Sequence, residues 1–73
     1  MERMVEVYLA RDSFEAHFLK DLLGRSGVEA QVVGENTPYA GVGGIERPRV
    51  WVFETDHDRA RELLKEYEAG RAT

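Results

Sequence analysis

The run Arg49-Val-Trp-Val-Phe53 decides the fold of this chain. Every residue after the arginine is β-branched or aromatic, and such residues favour a pleated strand over a helix. Because Val50 and Val52 alternate with Trp51 and Phe53, bulky side chains point to both sides of the strand. We therefore expect this run to be the central strand of a sheet with both faces in use.

Two further strands are predicted. Residues Met4 to Leu9 show the period-two pattern of a strand with one buried face, and residues Val28 to Val33 follow the same period. The side chains expected to face the core are the small and branched ones: Val5, Val7, Val28, Ala30, Val32, Val50 and Val52.

The first helix is marked at both ends. Asp12 can accept a hydrogen bond from the amides that open a helix, and Glu15 can reach back to the cap, an acidic variant of the capping box. Gly27 suits the left-handed conformation that follows a helix, so we expect the helix to end at about Ser26. Its apolar arc combines a core stripe with two flanking phenylalanines: Ala16, Leu19, Leu22, Leu23, Phe14 and Phe18.

The second helix is predicted to be capped by Thr55 or Asp56 and to end at Gly70. Residues 1–70 are expected to form a single domain, with residues 71–73 as a flexible tail. The core-facing stripe of this helix repeats at three and four residue steps: Ala60, Leu63, Leu64 and Tyr67.

The element order strand, helix, strand, strand, helix predicts an α+β fold. A right-handed crossover through the first helix makes the first two strands parallel and leaves a slot between them, which the third strand fills. The sheet is then antiparallel in the order 1-3-2, with both helices on one face. This is a ferredoxin-like split βαβ arrangement (βαββα) without the last strand, and it leaves the outer edge of the first strand free to pair with another chain.

The side of the sheet away from the helices, called the outer face below, is predicted to be rich in aromatic residues. Alternation sends Tyr8, Trp51 and Phe53 to this side. Monomers seldom expose a large contiguous apolar patch, so we expect a partner or the long loop to cover it. A shift of register by one residue would instead turn Trp51 and Phe53 into the core, and the sequence leaves both possibilities open. The other residues predicted on the outer face are Met4, Glu6, Gln31, Val33 and Arg49.

Composition restricts the classes of protein. The chain has 73 residues, no cysteine, and a net charge of −4 from 10 basic and 14 acidic residues. A domain of this size buries only about 60% of the surface that its unfolded chain exposes, so its core is thin. The lack of cysteine excludes disulfides and favours a reducing cytoplasm, and the sequence shows neither a signal-peptide pattern nor a membrane span. The acidic balance disfavours nucleic-acid binding.

The one long stretch without a hydrophobic period is Gly34 to Pro48. In so short a chain, a loop of this length is expected to be functional. Its glycines could form an anion-binding nest, although neither Gly-x-Gly-x-x-Gly nor a Walker lysine is present. The candidate binding residues of this loop are Asn36, Tyr39, Gly41, Gly43 and Gly44.

No arrangement of residues identifies a reaction. His17 and Asp21 are four apart on the first helix, a spacing that can hold a metal, but they lie opposite the leucine stripe, where a solvated face is expected. His57 has no acidic or nucleophilic partner that the sequence can place near it. We therefore expect no enzyme activity, no metal and no cofactor.

Architectural residues along nearly the whole chain carry a resemblance to a known family: Val5 to Leu9, Glu15-Ala16, Leu19 to Leu23, Gly27 to Ala30, Glu35-Asn36, Val50 to Val52 and Asp58 to Leu64. With these residues, the chain resembles small prokaryotic signal-transducing proteins of unassigned function, whose fold is similar to that of the nitrogen-regulatory PII (GlnB-like) proteins. The resemblance implies a small regulatory or adaptor module. In PII proteins the corresponding loop inserts into target proteins and can be modified on a tyrosine. Tyr39 lies in such a loop here, but this loop is shorter and lacks a PII nucleotide-binding motif.

The leading hypothesis is a regulatory module that binds an unidentified protein and forms a homodimer. It would use the loop Glu35 to Arg47 and the outer face around Tyr8 and Trp51. A second hypothesis is a sensor whose loop glycines and Asn36 close over a small anion or nucleotide. A third is stacking of single-stranded RNA bases on Tyr8, Trp51 and Phe53, although the consensus run of RNA-recognition motifs is absent.

Overall fold

The structure is a computed structural model that describes residues 2–34 and 47–71. A 3₁₀ turn, Glu54–Asp56, joins the last strand to the second helix. The regular elements are three strands and two helices: β1 (Met4–Leu9), α1 (Ser13–Arg25), β2 (Ala30–Val33), β3 (Arg49–Phe53) and α2 (His57–Arg71). Neither α1 nor α2, the helices within the described ranges, has the length and apolar content needed to span a bilayer.

The three strands form one antiparallel sheet in the order β1-β3-β2. This confirms the predicted α+β fold, its sheet order and the central position of Arg49–Phe53. The second strand begins at Ala30, two residues later than predicted. Val28 is still buried, because it packs in the turn that leads from α1 into β2.

Both helices cover the same face of the sheet. Helix α1 packs on β2 and β3, whereas α2 packs on β1 and β3. The buried core therefore combines one face of the sheet with one stripe of each helix: Val7, Ala10, Ala16, Leu19, Leu23, Val28, Ala30, Val50, Val52, Ala60 and Leu64. Five other residues that the periodicity predicts to face the core are only partly buried: Val5, Leu22, Val32, Leu63 and Tyr67.

The register of β3 decides between the two orientations that the sequence left open for its aromatic residues. Val50 and Val52 are fully buried beneath the helices, whereas Trp51 and Phe53 are half-buried. Because successive side chains of a strand point to opposite faces, Trp51 and Phe53 lie on the outer face.

The prediction that Tyr8 lies on the outer face is wrong. Trp51 pairs with Glu6, but the next residue of β3, Val50, pairs with Tyr8, so β1 carries a bulge at Val7. An extra residue in one strand reverses the alternation beyond it. Tyr8 therefore packs against the core on the helical side, and Leu9 takes its place on the outer face opposite Arg49.

The caps of α1 largely follow the prediction. The Asp12 carboxylate accepts a hydrogen bond from the Glu15 amide at 2.8 Å. Glu15 reaches back as expected, but to the amide of Arg11 at 2.7 Å, one residue before the cap. Gly27 has a φ of 83° and follows the C-cap Ser26. The bonds from Val28 N to Leu23 O and from Gly27 N to Gly24 O complete a Schellman motif.

Helix α2 begins at His57, directly after Asp56, one of its two predicted caps, but it continues past its predicted end. Thr55 lies in the 3₁₀ turn, and its hydroxyl donates to the Glu2 carboxylate at 2.9 Å instead of capping the helix. At the other end the helix continues through Gly70 to Arg71, which the sequence had placed in the tail. Tertiary contacts of Arg71, described below, hold this last turn. Residues 72 and 73 lie outside the described part of the chain.

Candidate functional site

The residues predicted to form the site fall into three groups. Trp51 and Phe53 lie on the outer face, whereas Tyr8 lies on the helical side. The structure therefore does not bring the three aromatic rings together on one surface, as the RNA hypothesis required. The loop candidates lie outside the described residues: Asn36, Tyr39, Gly41, Gly43 and Gly44.

Trp51 stands at the centre of the outer face. It pairs with Glu6 of β1 on one side and with Gln31 of β2 on the other. Towards the start of β3, Arg49 is flanked by Leu9 and Val33. Towards its end, Phe53 pairs with Met4. Residues paired across an antiparallel ladder share a face, so these side chains form one continuous surface.

The outer face is mostly apolar. Leu9 and Val33 are 40% and 46% exposed, and Met4, Trp51 and Phe53 are half-buried. The indole Nε1 of Trp51 is buried and has no hydrogen-bond partner among the described residues. A buried donor without an acceptor costs about 1–3 kcal/mol.

One ion pair crosses this apolar surface. The Arg49 Nε lies 3.4 Å from the Glu6 carboxylate, and the two side chains are 46% and 43% exposed. Exposed pairs of this kind contribute about 0–1 kcal/mol to stability. The pair therefore adds little to the fold, but it places one negative and one positive charge at defined positions beside Trp51.

The outer face adjoins the base of the glycine-rich segment. Arg47 donates from Nε to the carbonyl of Ala10 at 3.0 Å and from Nη2 to the carbonyl of Leu9 at 3.3 Å. The Ala10 amide donates to the carbonyl of Pro48 at 2.9 Å. A Cβ on Gly34 would lie 3.6 Å from the Arg47 carbonyl, so residues 34 and 47 meet at this point. The φ of Gly34, 92°, favours glycine there.

A second polar site lies on the helical side, around Glu15. This side chain is only 2% exposed, yet it is charged. Its carboxylate accepts hydrogen bonds from Tyr67 Oη at 2.8 Å and from Tyr8 Oη at 3.4 Å, besides the Arg11 amide. Arg71 Nη1 lies 2.5 Å away. These contacts, called the Glu15 network below, tie β1, α1 and the last turn of α2 together.

Burial raises the pKa of Glu15, but hydrogen bonds from the Arg11 amide and the Tyr67 hydroxyl, together with the charge of Arg71, outweigh it. The net pKa therefore lies below its ordinary value, and the carboxylate is ionised at neutral pH. Burial, and then the negative charge of Glu15, raise the pKa of Tyr8 above its ordinary value. Tyr8 is therefore a neutral donor to an ionised acceptor.

The Glu15 network is a structural element. Its carboxylate already has four donors, and the Arg71 guanidinium also lies over the Tyr67 ring, 5.6 Å from its centroid. The sequence pattern indicates Glu15 only as part of the helix cap. The available signal was a carboxylate next to Ala16 in the core stripe of an amphipathic helix, a position where an unpaired charge is rare. Among residues 2–34 and 47–71, no three His, Asp or Glu side chains are grouped as a metal site requires.

The helical layer also exposes aromatic surface. Phe14, at the start of α1, is 83% exposed, and Phe18 is 48% exposed. The Phe18 ring contacts the Tyr67 ring with centroids 5.7 Å apart. These two phenylalanines lie on the side of the molecule opposite Trp51, so they are a second, separate apolar surface.

Comparison with known proteins finds a family match. The chain fits the sequence model of a family described as "Putative prokaryotic signal transducing protein" over residues 4–68. No curated protein and no solved structure matches the chain. The similarity to PII proteins that the resemblance implied stays a prediction.

Proposed function

We propose a regulatory protein-binding role for this chain, which belongs to the signal-transducing family that it matches over residues 4–68. The binding surface is the outer face, with Trp51 at its centre and Phe53 beside it. The family description supports regulation in general terms, and the chemistry of the outer face supports a protein as the partner.

The observation that carries this proposal is the orientation of β3. The core is filled by Val50 and Val52, so Trp51 and Phe53 are not needed to fill it and lie on the opposite side. Aromatic side chains at the centre of an apolar surface are the residues that contribute most to protein–protein affinity.

Comparison with the Glu15 network supports the choice of the outer face as the binding surface. Its polar groups are satisfied within the chain, so that site has little to offer a polar partner. Participation of residues 35–46 and a cytoplasmic location stay predictions from the sequence.

The experiment is affinity capture from cell lysate with three versions of the chain: wild type, Trp51→Glu and Phe14→Glu. Both substitutions replace an aromatic ring by a carboxylate, but on opposite sides of the molecule. We expect proteins captured by wild type to be retained by Phe14→Glu and lost with Trp51→Glu. Circular dichroism establishes that each variant is folded. Capture of the same proteins by all three versions, or of none by wild type, would rule out the outer face as a surface that binds another protein.

A further inference from the structure

We infer that the outer face binds a second copy of this chain, in a dimer whose two sheets cross at nearly a right angle. This inference rests on the proposed function, because it names the partner of the same surface. It is drawn from the positions of Glu6 and Arg49 relative to Trp51, which make the face complementary to itself.

The outer face has the layout of a grid. Glu6 is one step from Trp51 across the sheet, on β1, and Arg49 is one step from Trp51 along β3. The two steps are similar in length, about 5 Å between strands and about 7 Å between alternate residues of one strand. The bulge at Val7 places Leu9 beside Arg49, at the corner of the grid diagonal to Trp51.

In the proposed dimer the two sheets face each other, and a two-fold axis runs between them along the diagonal through Leu9 and Trp51. This axis exchanges the positions of Glu6 and Arg49. Glu6 of each copy then meets Arg49 of the other. A two-fold interface needs this property, because each contact must occur twice with the roles reversed. The other end of the diagonal brings Glu29 of each copy together; this residue is exposed just before β2, at the rim, where water screens the two charges, so the pair weakens the dimer without desolvating a charge. The remaining contacts are Leu9 with Leu9, Trp51 with Trp51, Met4 with Val33, and Phe53 with Gln31.

Other two-fold arrangements of the same face fail on charge. An axis along β3 sets Arg49 against Arg49, and an axis across the strands sets Glu6 against Glu6. The opposite diagonal sets Glu6 against Phe53. Like charges in contact, or a desolvated charge without a partner, are unfavourable. Orthogonal packing is one of the two ordinary ways in which sheets pack face to face, so the remaining arrangement is sterically reasonable.

The size of the face sets the expected strength. Three strands about 4.8 Å apart and about 20 Å long cover on the order of 300 Å². This is well below the roughly 800 Å² per partner of a standard interface. We therefore expect a weak, concentration-dependent dimer with a dissociation constant in the micromolar range or above, which suits a regulatory contact that must be reversible.

The test uses two charge reversals, Glu6→Arg and Arg49→Glu, because both positions are nearly half exposed and tolerate substitution. Each variant alone places like charges in contact across the two-fold axis, so each should be monomeric where wild type dimerises. In a heterodimer of the two variants, the two substituted positions carry opposite charges and face each other, and the native Arg49 of one chain faces the native Glu6 of the other. An equimolar mixture should therefore dimerise although neither component does.

Sedimentation velocity at low salt, over about two decades of concentration, measures this behaviour. Emission from Trp51, the single tryptophan of the chain, gives an independent signal, since it should shift to shorter wavelength on dimerisation. Glu6→Gln and Arg49→Gln form a second set that weakens the dimer without rescue on mixing, in case a charge reversal fails to fold.

The inference is overturned if both reversed variants associate as wild type does, or if their mixture stays monomeric while wild type dimerises. A wild type that is monomeric at every concentration also overturns it. If capture of another protein still depends on Trp51 in that case, the proposed function stands and only the second copy is excluded. If neither association nor capture depends on Trp51, both proposals fail.

Discussion

The helical side and the outer face each contain a carboxylate paired with an arginine from another element, but the two pairs lie in opposite surroundings. Glu15 is buried, with two tyrosine hydroxyls, a backbone amide and Arg71 around it. Glu6 is 43% exposed and has Arg49 at 3.4 Å. The buried carboxylate depends on its donors because water cannot replace them, whereas water can solvate the exposed one. The first pair therefore serves the fold, and the second is free to serve recognition.

Removing the Glu15 carboxylate and the Glu6 carboxylate in separate variants should give the largest difference in stability between the two regions. Glu15→Ala leaves the Tyr67 hydroxyl and the Arg11 amide without their acceptor and should lower the free energy of unfolding by about 2–3 kcal/mol. Glu6→Ala, the matched control, should lower it by less than about 1 kcal/mol. Urea denaturation of both variants at neutral pH measures the two values. Equal losses would contradict the structural role assigned to the Glu15 network.

Loss of the Tyr67 hydroxyl should destabilise the fold more than loss of the Tyr8 hydroxyl. The hydrogen bond from Tyr67 is short, 2.8 Å, and that from Tyr8 is long, 3.4 Å. Hydrogen bonds to charged groups contribute about 1.5–3 kcal/mol and weaken with distance. Tyr67→Phe should therefore cost about 1.5 kcal/mol, and Tyr8→Phe clearly less. Thermal denaturation of the two variants under one set of conditions gives the comparison, and a larger loss for Tyr8→Phe would be inconsistent with the geometry.

Acid should abolish the stabilisation that ionised Glu15 gives to the folded chain. The pKa of Glu15 in the fold lies below its ordinary value of 4.5, so the unfolded chain binds the proton more readily than the folded chain. The stabilisation by ionised Glu15 is present above the unfolded pKa and is lost as pH falls through the folded pKa. The difference in stability between wild type and Glu15→Gln should shrink on acidification from about pH 6 to pH 3. A difference that stays constant over this range would show that the charge of Glu15 is not involved.

The smallest effect is expected for the coupling between Glu6 and Arg49 in the monomer. A double-mutant cycle with Glu6→Gln and Arg49→Gln, measured at low protein concentration, should give about 0.2–1 kcal/mol. High salt should reduce it towards zero, since exposed charges are screened. A coupling above about 2 kcal/mol that persists in salt would mean that the outer face is as structural as the helical side.

The fold was predictable because its signals are local. The alternation of Val50 to Phe53, the cap at Asp12 and the left-handed Gly27 each act within a few residues, and each is found in the structure. The sheet order followed from the handedness of the first crossover. Helix α2 ends one residue later than the sequence predicts, because Gly70 is an ordinary stop signal and Arg71 is held by Glu15, 56 residues away along the chain.

The candidate site was predictable only in part. Trp51 and Phe53 were placed on one face, but the choice of face depends on which side the helices cover. The period-two pattern predicts the wrong face for Tyr8, because a bulge at Val7 reverses the alternation of β1 and no residue in the strand indicates the bulge.

The sequence alone determined the strands, the helices and their order, because hydrophobic period and capping act between near neighbours along the chain. Only the tertiary structure decided that Glu15 meets Tyr67 and Arg71, which lie 52 and 56 residues away. It also decided that Trp51 lies beside Glu6 on the outer face. Such contacts depend on the register of one strand and on how two helices dock, and both are set by packing across the whole molecule.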